Sequence, residues 1–184
     1  MPDSLSVIVG DVVHNLRSSL DHLASKLVRN AGFSDAGIYH PICENFQKYQ
    51  SESPGKTRGM PAEAKKAIDS TRPYGGGNEA LWGLHQLSVT DKHKLLVPVA
   101  HRVGRFSINL TPEYRNFFMP FPVPFEEGDV LAAVQGKCEG SEMQFAFDLA
   151  FGYPEVFIEL PVVDALSKVA GWVSAIVAHF DVCA

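Results

Sequence analysis

Leu5, Val9, Val12, Leu16, Leu20, Leu23 and Leu27 return at steps of three and four, which at about 100° per residue sets them on one face of a helix. The spacing predicts a long amphipathic first helix. Asp3 or Ser4 can cap it, and its period runs to about Arg29, where Asn30-Ala31-Gly32 supplies a stop. From Phe33 to Gly59 no period lasts, and Pro41, Pro54 and Gly55 stand among polar residues, so this stretch is expected to be a long irregular surface excursion. Pro61 followed by AEAKKAIDS reads as a short helix that ends before Arg72-Pro73, because the residue before proline avoids the α region. Tyr74-Gly75-Gly76-Gly77 reads as a flexible hinge. Asn78 is then the expected N-cap of a helix near 78–95, whose Leu81, Leu84, Leu87, Ser88, Asp91 and Leu95 form a second stripe.

After Leu96 the hydrophobic period falls from 3.6 to 2. Arg105 to Leu110 alternates, and so does Met143 to Phe151, where Phe145, Phe147, Leu149 and Phe151 share one face. Met119 to Phe125 carries proline at every second position, which suits an edge strand or a polyproline-like segment. Val156 to Leu160 is expected to be a last short strand. Val163 to Phe180 returns to helix, burying Leu166, Val169, Val173, Ile176, Val177 and Phe180. Helices, then strands, then a helix, without a repeat or a linker, predict one α+β domain over residues 1–184. Its long N-terminal helix, the helix near 78–95 and the C-terminal helix form a bundle, and a small antiparallel β-sheet covers one side.

Composition changes this picture little: 46% hydrophobic and 20% charged residues in 184 are those of a globular chain. Charge changes it more. The net charge is −5, but residues 1–115 hold 14 Lys and Arg against 11 acids, and residues 116–184 hold 2 against 10. A polyanion would have to meet the first part. Cys43, Cys138 and Cys183 are odd in number and lack C-x-x-C spacing, so they are read as reduced thiols of a cytoplasmic protein. The N-terminus lacks the basic and apolar regions of a signal peptide. Ala165 to Phe180 is shorter than the ~20 residues of a bilayer span and holds Lys168 and His179, so no membrane is expected.

Candidate chemistry gathers on the first helix, which presents Asp11, His14, Asn15, Arg17, Ser18, Asp21 and His22 where a solvated Lys/Glu face is usual. Arg17 to His22 has the form R-x4-H, and here the chain resembles the HEPN superfamily of small helical domains, many of them metal-independent ribonucleases. The resemblance implies a homodimer acting on RNA without a cofactor, with Arg17 holding the scissile phosphate and His22 acting as general acid and base. His14, Asp21 and His85 would support them. A guanidinium binds phosphate through two parallel hydrogen bonds, and an imidazole titrates near neutrality, so the chemistry is coherent. On an ideal helix the two side chains are about 140° apart, so they meet one phosphate only in trans or across a bend. The structural alternative pairs Arg17 with Asp21 or His14 and leaves His22 as a hydrogen-bonding group of the bundle.

The segments from His14 to Leu23, and from Pro73-Tyr74 through Leu81-Trp82 and Leu84-His85 to Asp91-Lys92-His93-Lys94-Leu95-Leu96, are similar to an uncharacterised group of bacterial proteins. Those carry HNLRSALDHL-like and DKHRLL-like stretches. That resemblance implies a site shared by the first helix and the helix near 78–95, without an activity. It suits a second reading, a non-catalytic ligand- or protein-binding bundle with a polar pocket between those helices, edged by Tyr74, Trp82 and His85. Asp11-x-x-His14 with His85, Asp91 and His93 would allow a weaker third reading, a metal-dependent hydrolase. The set lacks the further carboxylates and the second acid-x-x-His copy of such sites, so no metal ligand is assigned. Lys92, Lys94, Arg102 and Arg105 form a run free of acids that could follow an RNA backbone or complement a helix end. No P-loop, G-x-G-x-x-G, G-x-S-x-G or H-E-x-x-H occurs.

Overall fold

The computed structural model describes residues 3–93, 98–109, 116–118, 133–135, 142–158 and 160–181, of which 3, those within 92–148, and 181 are described by their backbone alone. Three helices make the bundle: α1 (Asp3–Asn30), α4 (Glu79–His93) and α5 (Val162–Asp181), each packed on the other two. Two shorter helices, α2 (Phe46–Lys56) and α3 (Ala62–Ser70), lie in the chain between α1 and α4. Val13, Leu20, Ala24, Val28, Leu81, Leu84, Leu87, Ala165 and Val169 are wholly buried at the centre.

The end of α1 follows the expected stop. Gly32 takes φ +80°, its N–H donates to the Arg29 carbonyl at 2.9 Å and the Phe33 N–H donates to the Val28 carbonyl at 3.1 Å. This is a Schellman closure, and it satisfies two carbonyls that the helix end leaves over. The buried stripe is rotated from the expected one. Val13 is in the core, whereas Val12 is 37% exposed and Leu16 and Leu27 are half-buried. α1 meets α4 closely where Gly10 lies beside Asp91: a methyl group on Gly10 would come within 2.6 Å of the Asp91 carboxylate.

The stretch expected to be an irregular excursion is largely ordered. Ile38, His40, Ile42 and Cys43 are buried, and α2 follows, with the Asn45 side chain accepting from the Lys48 N–H at 2.9 Å. Only Tyr49 and Ser53 of α2 are buried, so the helix has no hydrophobic period by which to be seen. Pro54 sits in its last turn, where it removes only the hydrogen bond to the Gln50 carbonyl. Helix α3 follows Pro61, its N-cap residue, as expected.

The glycine run is a locked turn, which corrects the expected hinge. Cys43 N–H donates to the Pro73 carbonyl and Gly75 N–H to the Cys43 carbonyl, so Cys43 and Tyr74 form a parallel bridge. A Cβ on Gly75 would overlap the Glu44 carbonyl oxygen, so glycine is needed there for close approach. Asn78 caps α4, accepting from the Leu81 N–H at 3.2 Å.

Beyond α4 the backbone runs in two antiparallel ladders, β1 (Pro98–Asn109) with β4 (Glu142–Phe151) and β2 (Asn116–Phe118) with β3 (Ala133–Gln135). Residues 101 and 104 have no partner in the first ladder, so β1 is bulged twice while β4 is continuous. At its end Phe151 and Ala150 are both buried. The expected strand at Val156–Leu160 is instead a single 3-10 turn, Glu155–Phe157, which places the Phe157 ring 6.1 Å from that of Phe151. Gly83 makes room for it, since a Cβ there would lie 2.5 Å from the Phe157 ring. Leu95, Leu110 and the proline-rich Met119–Phe125 lie outside the described residues. By length and composition alone, 19 residues of α5, Val162–Phe180, are long and apolar enough to cross a membrane, a longer stretch than the Ala165–Phe180 read from sequence. Its apolar stripe belongs to the core shared with α1 and α4.

Candidate functional site

Arg17 does not face outward. Its Nη1 lies 2.8 Å from Asp21 Oδ1, and its Nη2 donates to the His40 carbonyl at 2.9 Å. The His40 N–H in turn donates to Asp21 Oδ1 at 2.9 Å. One helical turn of α1 thus holds both backbone groups of His40 through an acid and a base four residues apart. Burial lowers the Arg17 pKa and Asp21 opposes that shift. The His40 ring is buried, neither nitrogen has a hydrogen-bond partner among the described residues, and burial together with the Arg17 charge pushes its pKa down to about 3. It is a neutral imidazole at any ordinary pH.

His22 is exposed elsewhere, lining an open groove of about 550 Å3 between α1 and α5 with Leu16, Ser19, Lys26, Val173 and Val177. Arg17 and His22 are therefore not brought together within one chain. His14 is exposed and lies 3.4 Å from the Ser18 hydroxyl, and Asp11 and Asn15 are exposed on the same helix. Asp91 reaches α1 at Gly10. His85 stacks on Trp82, ring centroids 5.6 Å apart, both half-buried. The side chains of Lys92, His93, Arg102 and Arg105, and all of Lys94, lie outside the described residues. Among the described residues no three His, Cys, Asp or Glu side chains converge as a metal site would require.

Tyr74 leads to a different place from the one expected. It lines a cleft of about 530 Å3 with residues of α2 and α3, among them Phe46, Tyr49, Gln50, Ser53, Lys65 and Asp69. Asn45 starts α2 so that Phe46 and Tyr49, three apart, reach the same ring: Tyr74 lies 5.3 Å from Phe46 and 5.4 Å from Tyr49. The Tyr49 hydroxyl donates to Asp69 Oδ1 at 2.5 Å. Burial first, and then that hydrogen bond, raise the Tyr49 pKa, so the phenol stays protonated. The Arg72 guanidinium sits 5.9 Å over the Tyr74 ring. Of these residues only Tyr74 was singled out from sequence. The signal available for the others was an Asn cap followed by aromatics at i+1 and i+4.

Compared with protein-family models, curated proteins and solved structures, the chain finds no match.

Proposed function

We propose that this chain is a non-catalytic binding domain whose ligand enters the cleft between α2 and α3 beside Tyr74. One observation carries the reading: three aromatic rings, a carboxylate and an ammonium line one concave space of about 530 Å3, within the size range of small-molecule sites. The geometry favours this over the HEPN ribonuclease reading, because Arg17 would have to leave Asp21 and the His40 carbonyl before it could hold a phosphate. In the same proposal the two ladders belong to one small antiparallel sheet that completes an α+β domain beside the bundle, and the protein works in the cytoplasm.

Native mass spectrometry after exposure to a metabolite extract tests the reading. Wild type is expected to retain a small molecule that Gln50→Trp, a substitution at the exposed lip of the cleft, does not. A mixed RNA pool should stay intact with or without EDTA. Metal-independent cleavage that disappears in folded Arg17→Ala and His22→Ala variants would return the protein to the ribonucleases, acting as a dimer.

A further inference from the structure

We infer that the cleft takes a planar aromatic molecule carrying an acid group, its ring against Phe46 and Tyr74 and its anion on Lys65. This rests on the cleft being a ligand site at all. Lys48, Lys56 and Lys66 are each ion-paired, with Glu44, Glu52 and Glu63. Lys65 is different: it is half-buried, it lines the cleft, and its ammonium has neither an ion pair nor a hydrogen bond among the described residues. Asp69 stands one helical turn away on the same lining, its Oδ1 accepting from the Tyr49 hydroxyl, and among the described residues it forms no i, i+4 ion pair with Lys65. Arg72, over the Tyr74 ring, donates to the Tyr74 hydroxyl and the Gly76 carbonyl and, among the described residues, to no carboxylate. The lining of the cleft therefore holds one uncommitted cation, Lys65, and one carboxylate, Asp69, that already accepts a hydrogen bond.

The rings fix the other half of the ligand. Phe46 is 49% exposed, a large apolar surface left at the cleft edge. It is tilted 52° to Tyr74 at 5.3 Å, so the two form an open angle rather than a closed stack. A flat ring laid across their open side meets both rings, and an acid group on that ring reaches an ammonium whose hydrogen bond is strengthened by charge on both partners. A carboxylate and a phosphate ester both meet this description.

Isothermal titration calorimetry of the full chain separates them, using indole-3-acetate and adenosine monophosphate as anions, indole and adenosine as their neutral counterparts, and tryptamine as a cation. At least one anion should bind, with its neutral counterpart about tenfold weaker, as one charge-assisted hydrogen bond implies. Lys65→Gln should erase that difference while leaving the neutral ring's affinity unchanged, and Phe46→Ala should weaken anion and neutral alike. Which anion binds distinguishes carboxylate from phosphate. Equal binding of neutral, cationic and anionic rings, or an anion indifferent to Lys65→Gln, overturns the inference and leaves the cleft as a ligand site. Binding of none of the five overturns the inference, and the cleft reading falls separately if native mass spectrometry also finds nothing retained.

Discussion

A buried imidazole without a partner is an acid-labile group. His40 carries a proton in the unfolded chain below the ordinary histidine pKa of about 6.5 and in the folded chain only near 3. Between these values the unfolded state binds more protons, so stability is full above about pH 6.5 and falls as pH drops toward 3, at up to about 1.4 kcal/mol per pH unit. Urea titrations at several pH values should show that slope, and His40→Leu should flatten it without lowering the midpoint at pH 7, because it removes two unsatisfied polar atoms at similar volume. A parallel acid slope in the variant would mean that other groups set it. The ion pair beneath is the second test at this scale. Arg17→Ala strands Asp21 and the His40 carbonyl and is expected to cost about 2 to 4 kcal/mol, somewhat below the range for fully buried pairs because Asp21 keeps some water. An unchanged melting temperature would free Arg17 for chemistry.

Among the helices, α1, α4 and α5 were legible from an apolar stripe and α3 from its proline start and the Arg72-Pro73 stop, whereas α2 offered neither signal. α1, α4 and α5 each bury a face repeated over several turns, so their period survives a shift such as that from Val12 to Val13. Leu20, wholly buried on α1, should cost about 2 to 5 kcal/mol when cut to Ala, with the loss read from thermal or denaturant unfolding. α2 buries only Tyr49 and Ser53, and Pro54 reads as a breaker wherever the helix frame is unknown. What starts it is a cap: Asn45→Ala should lower stability by about 1 kcal/mol, and circular dichroism should show a loss of one short helix rather than of the bundle. The Tyr74 turn was misread for a different reason. Glycine in sequence signals freedom or close approach alike, and only the Glu44 carbonyl beside Gly75 decides between them.

For the whole molecule, the polar residues of α1 were visible as an unusual set, but their roles depended on what packs over them. Arg17 and Asp21 are met by the 38–43 segment, which holds no period of its own, and His22 lies apart from them on the groove facing α5. The R-x4-H spacing could not show which side of the helix the rest of the chain would cover. The cleft was hidden for a related reason: it is assembled from α2, α3 and the Tyr74 turn, each with few apolar positions, so its walls come from the parts of the sequence with the weakest pattern.

The clamp on His40 also bears on how the protein exchanges its amide hydrogens. Segments between helices usually exchange early, since their N–H groups meet water through small local openings. Here the His40 N–H is held by Asp21 and the Cys43 N–H by the Pro73 carbonyl, so two amides in a nominal loop should be protected nearly as long as those of α1. Their protection should be lost together in Asp21→Ala while the centre of α4 keeps its own, because the loop would then open without unfolding the bundle. In solvent exchange, the boundary between core and loop in this protein would be drawn by one carboxylate.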